Sequence, residues 1–364
     1  MWYQVKNIYL IDTPALLIYK ERVSQNISNV IAMVNSVSQL RPHVKTHKIK
    51  EVTEMMLAAG ISKFKCATIA EAEMLALTNA KDVLLAYLVV GPKIKRLQIL
   101  KEKFTATNFS CLIDNYETAK QLSENFINSP LQVYLDLNIG MNRTGVLPKN
   151  AFVLYKDCVE LKGIEISGLH AYDGHIYDTD VAIRASRATQ VIDLLSIPKN
   201  QIETFSGNKI KVVVGGTPTF KIYANQSNEV EVSPGTFIFW DKGYDNIIPD
   251  MDFLFAAVIV TRVISIIDKN TLCVDLGHKA IAAENPLPRI EFLNVSNAKP
   301  ISQSEEHLVV AVADTNEHKI GDVWYGVAIH ICPTVALYNE VMVVENEIVS
   351  ASWKVIARDR KIGI

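Results

Sequence analysis

Short apolar segments of strand length alternate with helical segments between residues 43 and 233. The strand-like segments cover residues 43–46, 64–68, 83–87, 109–114, 133–138, 166–172, 212–216 and 230–233. Helical patterns follow most of them, over residues 71–77, 92–100, 116–126, 150–161 and 180–195. Alternating strands and helices are typical of a parallel sheet, and eight such units predict a closed (β/α)8 barrel. An open, doubly wound sheet is the alternative.

The pattern changes after about residue 245. Strand-like runs follow without helical patterns between them, over residues 253–267, 272–276, 307–314, 323–331 and 340–345. Asp268-Lys269-Asn270 is typical of a turn that joins two antiparallel strands. The sequence therefore predicts an α/β barrel domain of residues 11–245. A mostly antiparallel β-domain would follow, formed by residues 246–364 with residues 1–10.

Composition and charge exclude several classes of protein. Hydrophobic residues make up 49% of the chain and charged residues 21%, as in ordinary globular proteins. The net charge of −2 argues against a nucleic-acid partner. We expect no secretory signal, because the first residues do not form a basic region followed by an apolar core. We expect no membrane partner, because no apolar run approaches the length of a membrane span. The five cysteines are scattered and odd in number, which favours a cytoplasmic protein over a disulfide framework.

Basic side chains are concentrated in the segment Arg41–Lys48. As a strand entering a helix, it would place alternate residues on one face, namely Arg41, His43, Lys45 and His47. Such a face is costly to bury unless an anion meets it. Neighbouring cations also favour the neutral, nucleophilic form of a lysine, so the segment predicts an imine-forming Lys45 and an anionic cofactor. A solvated basic edge is the alternative.

Further polar residues follow the carboxyl ends of later strands, where barrels carry their working groups. Arg143 could meet a phenolate or carboxylate, or it could lie on the surface. His175 could act as a general base, or it could cap a helix. Tyr172 could contact a bound ring, or it could be a rim aromatic. The loop Gly215-Gly216-Thr217 could bind phosphate through its backbone and hydroxyl groups, although Gly-Gly pairs are more often simple turns.

His330 and Cys332 are separated by one residue in a strand-like run. On a strand both side chains would point the same way and could bind one metal ion. Two protein ligands would leave coordination positions open, which is typical of a catalytic metal rather than a structural one. A His-x-Cys pair alone is weak support for a metal site.

Five motifs, in this order, resemble the D-threonine aldolase and D-serine dehydratase group of pyridoxal-phosphate enzymes. They are Arg41–Lys48, Gly140–Val146, Gly168–His175, Gly215–Thr219 and His330–Thr334. Enzymes of this group are of fold type III, with an alanine-racemase-like barrel followed by a β-domain. The resemblance spans nearly the whole chain. It implies a small D-3-hydroxy amino acid as substrate and a homodimer as the assembly.

The resemblance also implies roles for individual residues. Lys45 would carry pyridoxal 5'-phosphate as an imine, within a site that includes His43 and Tyr172. Arg143 would meet the ring hydroxyl of the cofactor. Gly215, Gly216 and Thr217 would bind its phosphate. His330 and Cys332 would hold a divalent metal, either zinc or manganese or magnesium, beside the β-hydroxyl of the substrate.

Two lyase reactions fit the resemblance. In the retro-aldol reaction His175 would remove the β-hydroxyl proton, and the substrate would yield glycine and an aldehyde. In dehydration Lys45 would remove the α-proton, and ammonia and a keto acid would form. The His-x-Cys pair resembles the zinc-dependent dehydratases, whereas the aldolases more often have His-x-Asp. We favour the aldolase because His175 concerns the proton transfer itself. An amino-acid racemase and a non-catalytic carrier of pyridoxal phosphate are further alternatives.

Overall fold

The computed structural model describes residues 1–364 and divides into two compact units. The barrel unit contains Val30–Lys45, Thr53–Gly235 and Asp359–Ile364. The β unit contains Met1–Asn29, Thr46–Val52 and Thr236–Arg358. These bounds differ from the predicted domains, because the sequence pattern does not show where short segments pack.

The chain forms sixteen strands and ten α-helices. The strands are β1 (Ala15–Tyr19), β2 (Lys63–Cys66), β3 (Asp82–Leu88), β4 (Asn108–Ile113), β5 (Leu131–Leu137), β6 (Ile164–Ala171), β7 (Lys211–Val214), β8 (Val230–Val232), β9 (Ala257–Ile266), β10 (Thr271–Val274), β11 (Ile290–Phe292), β12 (Lys299–Gln303), β13 (Leu308–Ala311), β14 (Val323–Ala328), β15 (Glu340–Glu345) and β16 (Ile348–Lys354). The helices are α1 (Lys20–Ala32), α2 (Lys50–Ala58), α3 (Ile69–Leu77), α4 (Pro92–Lys103), α5 (Tyr116–Asn125), α6 (Pro148–Cys158), α7 (Val181–Ser206), α8 (Phe220–Gln226), α9 (Lys242–Ile247) and α10 (Ile331–Val335).

Strands β2 to β8 form a parallel sheet in sequence order, with helices between them. The backbone around Pro42 bridges its two edges: Arg41 N–H donates to the carbonyl of Val232 (2.9 Å), and Lys65 N–H donates to the carbonyl of Pro42 (2.8 Å). This segment therefore takes the eighth position between β8 and β2. The predicted barrel fold is confirmed, with seven regular strands rather than eight.

The predicted first strand over residues 43–46 is wrong. Only His43 forms a β-bridge, to Lys65, and residues 44–47 form a turn. Pro42 has no N–H to donate, which limits a regular ladder at this position. The predicted common face is therefore wrong as well: Arg41 is fully buried and pairs with Asp82 at 2.7 Å.

A second carboxylate, Glu231, lies 2.6 Å from Arg41. Two protein carboxylates thus balance the charge of this arginine without a cofactor. His47 belongs to the β unit, where its ring packs edge-on against Phe239 at 6.5 Å.

Apolar side chains fill the interior of the barrel sheet, as shown by a cluster of Leu84, Leu112, Tyr134 and Val213. Side chains alternate along a strand, so Asp136 shares the inner face of β5 with Tyr134. The same parity on β6 brings His170 inward, where it pairs with Asp136. Polar groups therefore follow the apolar layer towards the carboxyl ends of the strands.

The barrel helices begin and end at residues with suitable capping chemistry. Thr68 accepts a hydrogen bond from the N–H of Glu71 at the start of α3. Asp180 caps α7, and the helix is followed by Gly207 in the left-handed conformation (φ +71°). Helix α7 continues well past the predicted end at residue 195, because Pro198 and Ile202 maintain its buried face.

The β unit contains a mostly antiparallel sheet in the order β12-β13-β10-β9-β1-β15-β16, with β14 paired to β9 and β11. The predicted hairpin around Asp268-Lys269-Asn270 is confirmed by the antiparallel pair of β9 and β10. Strands β11, β12 and β16 were not predicted. Strand β16 has no buried residue, so it lacks an alternating apolar pattern. None of the helices is both long and apolar enough to span a membrane.

Candidate active site

A cavity of about 590 Å³ lies at the carboxyl ends of the barrel strands. Its lining brings together four of the predicted site residues, which are His43, Lys45, Arg143 and Tyr172. Asp136 and His170 also line it. The location is that of the working site in (β/α)8 barrels.

The ring of Tyr172 has three cationic neighbours. Lys45 Nζ lies 5.4 Å and Arg143 Cζ lies 5.2 Å from its centroid. The third cation is Lys65, with its Nζ at 5.5 Å. The sequence prediction missed Lys65, although a lysine inside the apolar strand β2 was the available signal. The three cations favour an anionic ligand in this region.

His170 pairs with Asp136 through Nδ1 and Oδ1 at 2.7 Å. Burial would raise the pKa of Asp136, but hydrogen bonds from His170 and Thr144 lower it, so this carboxyl is anionic. Burial lowers the pKa of His170, and the charge of Lys65 adds to that shift. Nε2 of His170 is buried and has no hydrogen-bond partner. A ligand atom in the cavity could satisfy it.

The loop after β7 needs glycine at its first position. Gly215 has φ +79°, and a Cβ there would lie 2.7 Å from the ring of Tyr223. Its N–H donates to the carbonyl of Ala171 at 3.2 Å. The N–H of Gly216 donates to Thr219 Oγ1 at 3.3 Å. Both amides predicted to bind phosphate are thus engaged within the protein.

The loops after β7 and β8 are joined by a hydrogen bond from Gly235 N–H to Thr217 Oγ1 at 3.0 Å. Ser233, immediately after β8, has a buried Oγ without a partner. Loops after the last two strands are the usual phosphate site of such barrels. Ser233 is therefore a candidate hydrogen-bond donor to a bound phosphate group, and sequence reasoning missed it.

His175 lines a different cavity, of about 200 Å³, together with Arg187 and apolar side chains of α7. Its ring lies over Gly140, where a Cβ would be 2.7 Å from His175 Nε2. Its Nδ1 has no hydrogen-bond partner. His175 and Lys45 line separate cavities, and the role of His175 as a base stays a prediction.

His330 and Cys332 interact in the β unit, but not on a common strand. Strand β14 ends at Ala328, His330 is the residue immediately before α10, and Cys332 lies in the first turn of that helix. The predicted strand geometry is therefore wrong. Nevertheless the two side chains are hydrogen-bonded to each other. Pro333 explains why the chain forms a helix here and not a strand, because proline is tolerated in a first helical turn but not in a central strand.

The surroundings of His330 suit a metal ligand. Glu284 Oε1 lies 2.6 Å from Nδ1 of His330, which leaves Nε2 for coordination. Burial would lower the pKa of His330, but Cys332, Asp241 and Glu284 raise it to about 9. No third His, Cys, Asp or Glu completes a group of three possible ligands. The pair fits a metal with open positions, and a thiolate with an imidazole favours zinc.

The barrel cavity likewise fits a phosphorylated pyridine aldehyde. Lys45 supplies an amine, and Arg143 supplies a permanent positive charge. The buried atoms without partners, His170 Nε2 and Ser233 Oγ, are groups that a polar ligand would satisfy.

Two family models match the chain. The model "Alanine racemase, N-terminal domain" matches residues 18–241, and "Putative serine dehydratase domain" matches residues 256–344. A D-threonine aldolase from Arthrobacter sp is 26% identical over 364 residues, covering 96% of this chain and 93% of the relative. A D-serine dehydratase from Dictyostelium discoideum is 23% identical, covering 93% of this chain and 94% of the relative.

A solved structure shares the architecture over nearly the whole length. The crystal structure of D-threonine aldolase from Filomicrobium marinum superposes with a TM-score of 0.87 and 25% identity, covering 96% of this chain and 95% of that one. The first family model alone covers more than half of the residues. The chain therefore belongs to the alanine racemase N-terminal domain family, within the D-threonine aldolase and D-serine dehydratase group of fold-type III pyridoxal-phosphate enzymes.

Proposed function

We propose that this chain is a pyridoxal-phosphate- and divalent-metal-dependent lyase that cleaves D-3-hydroxy amino acids to glycine and an aldehyde. The observation that carries the proposal is the meeting of Lys45, Arg143 and Tyr172 in one cavity at the carboxyl ends of the barrel strands. The 26% identity to a D-threonine aldolase over 96% of the chain supports the choice of the retro-aldol reaction.

Several residues would hold the cofactor. Lys45 would bind it covalently, and Arg143 would meet its ring hydroxyl. His43 and Tyr172 would line the ring site. Thr217, in the loop of Gly215 and Gly216, would bind the phosphate, and Ser233 would add a hydroxyl. When bound, pyridoxal phosphate supplies an electron sink for the bond that breaks at the α-carbon of the substrate.

The other polar side chains near the cofactor site would bind ligand atoms or transfer protons. Anionic Asp136 fixes the His170 ring through Nδ1, so Nε2 is the ring atom available to a ligand. His175 is our candidate base for the β-hydroxyl proton. Its Nδ1 has no hydrogen-bond partner, so no other group occupies this nitrogen.

His330 and Cys332 would hold the divalent metal, with Glu284 orienting the imidazole. Such an ion supplies a Lewis acid that lowers the pKa of a coordinated hydroxyl. We propose zinc, because a thiolate ligand favours it over manganese or magnesium.

Dehydration is the second candidate, and one observation favours it. Lys45 lines the cavity while His175 lines another. In dehydration the Lys45 amine would remove the proton from the α-carbon, so no second base at the β-hydroxyl would be needed. The products would be ammonia and a keto acid.

Product analysis with D-threonine tests both candidates. The protein, loaded with pyridoxal phosphate, is assayed with added zinc, with manganese and with a chelator. Glycine plus acetaldehyde supports the aldolase, and 2-oxobutanoate plus ammonia supports the dehydratase. Racemised amino acid formed without metal would contradict both and favour a racemase. Inactivity towards a panel of D-amino acids, with the cofactor bound, would favour the non-catalytic carrier.

A further inference from the structure

Lys65 is a buried lysine for which the proposed reaction has no use. It lies in the middle of β2, only 2% of its surface is exposed, and its Nζ is 5.5 Å from the centroid of Tyr172. Tyr172 is the ring that Lys45 and Arg143 also approach. Lys65 therefore belongs to the cation cluster around the cavity.

The charges that face Lys65 come from several elements. Lys45 and Arg41 repel its positive charge, while Asp173 and Asp136 attract it. Both carboxyls already have partners. Asp136 is held by His170 and Thr144, and Asp173 accepts a hydrogen bond from the Tyr223 hydroxyl at 2.7 Å.

Together, these effects lower the pKa of Lys65. Burial lowers the pKa of Lys65, Lys45 and Arg41 lower it further, and Asp173 and Asp136 offset part of the change. The resulting pKa is about 7, far below that of an ordinary lysine, so the neutral amine is accessible near neutral pH. A neutral amine avoids the cost of a buried charge without a dedicated counter-ion.

We infer that Lys65 is a proton-accepting recognition group for the phosphorylated cofactor: when the anionic cofactor binds in the barrel cavity, the Lys65 amine takes up one proton from solvent. At Lys65 only an N–H bond forms, with a proton released by solvent, and the new positive charge offsets part of the negative charge of the ligand. The inference rests on the cofactor assignment and not on which lyase reaction follows.

The physical reason is electrostatic linkage. A phosphate dianion favours the charged form of a nearby amine, and by reciprocity protonation of the amine favours binding of the dianion. Lys65 therefore makes the cavity prefer an anionic ligand over an uncharged one of the same shape. We expect the phosphorylated vitamer to bind much more tightly than its unphosphorylated form.

Calorimetric titration of the full-length protein with pyridoxine 5'-phosphate tests the inference. This probe has an alcohol in place of the aldehyde and cannot form an imine with Lys45. Above pH 7 its phosphate is a dianion, since the second pKa of a phosphate monoester is about 6. With a free pKa of about 7, linkage predicts that affinity falls by as much as about 50-fold from pH 7 to pH 9.

Proton uptake is measured directly from the dependence of the binding enthalpy on the ionisation enthalpy of the buffer at pH 8. Protons exchanged by the probe itself are common to all variants. The difference between wild type and Lys65→Met therefore isolates the contribution of Lys65. We expect this variant to lose the extra proton and most of the pH dependence.

Lys65→Arg keeps a positive charge at every pH in this range. We expect it to bind the probe without the extra proton and to retain its affinity at pH 9. Lys63→Met is the matched control, because Lys63 lies on the same strand and already pairs with Glu231. It should retain the proton uptake and the pH dependence of the wild type.

Unchanged proton uptake in folded Lys65→Met would overturn the inference. If that variant does not fold, unchanged uptake in Lys65→Arg would overturn it instead. If the protein turns over D-threonine but Lys65 takes up no proton on cofactor binding, this inference is contradicted and the proposed function is not. Normal uptake without any lyase activity would contradict the proposed function alone.

Discussion

Nδ1 of His170 lies 2.7 Å from Oδ1 of Asp136, and the opposite ring nitrogen is buried without a partner. A carboxylate on one side of an imidazole fixes the orientation and the tautomer of the ring. The pair therefore presents one defined nitrogen to whatever occupies the barrel cavity.

We predict that Asp136→Asn weakens binding of pyridoxal phosphate. Loss of a charge-assisted hydrogen bond costs about 1.5–3 kcal/mol, or about 10- to 100-fold in affinity. Absorbance titration with the cofactor measures this. Asp114→Asn is the control, because Asp114 accepts from Gly145 N–H and does not contact His170. Equal affinities for the two variants would contradict a role for the pair.

Lys45→Ala should abolish covalent attachment of the cofactor. After incubation with pyridoxal phosphate and reduction with borohydride, the wild type should carry a pyridoxyl group on the peptide that contains Lys45, as mass spectrometry can show. Activity should fall by about 10²- to 10⁴-fold or more, because the variant lacks both the attachment point and a proton carrier.

Lys93→Ala is the control for this change, since the exposed Lys93 also borders the cavity but lies over the ring of Tyr87 at 4.4 Å. Labelling of Lys65 or Lys93 in place of Lys45 in the wild type would show that the attachment point is wrong.

His175→Gln separates the two candidate reactions. If His175 is the base for the β-hydroxyl, glycine formation from D-threonine should fall by about 10²- to 10⁴-fold. Cofactor affinity should remain that of the wild type, because His175 does not line the cavity of Lys45. The exposed His307 provides the control variant, His307→Gln. Full aldolase activity in His175→Gln would mean that another group takes the proton.

Zinc binding at His330 and Cys332 should strengthen as pH rises. The pKa of His330 is about 9, so below that pH a proton must leave the ring before a metal can bind. Zinc affinity should then rise about tenfold per pH unit between pH 6 and pH 8 from this residue alone. Competition with a colorimetric chelator measures the affinity. Cys332→Ser should weaken it, whereas Cys273→Ser, at a buried cysteine of the same unit, should not.

The same proton stabilises the metal-free fold. Because the folded pKa is raised above the ordinary value, this contribution is complete below about pH 6.5 and is lost as pH rises through about 9. The side chain is 42% exposed, so solvent screening keeps the effect to about 1 kcal/mol. The melting temperatures of the metal-free wild type and of metal-free His330→Gln, measured across this pH range, should converge at high pH.

The apolar strands of the barrel were predictable because each is buried on both faces and is flanked by a helical pattern. The segment at Pro42 was not, since basic residues with alternating spacing resemble a strand even where proline limits the ladder. The wrong strand at His330 has a similar origin, because an apolar run continues past Ala328 into a short helix.

Three groups of the candidate site were not singled out from the sequence. Lys65 and His170 lie in strands and Ser233 follows one, and their importance comes from burial among particular neighbours. Their inward orientation follows from strand parity once the register is known. Parity counted from the carboxyl end of each strand would have placed all three inside the barrel.

The closing of the barrel between Leu40 and Val232 has a consequence for the assembly of the protein. Arg41 and Glu231, on the two sides of this seam, are separated by 190 residues along the chain. Contacts of such long range form slowly, because a very large loop must close first. The segment that carries Lys45 therefore gains its hydrogen bonds on both sides only after the last barrel strand has been synthesised. In a nascent chain that stops short of β8, the segment of Lys45 could pair with β2 only.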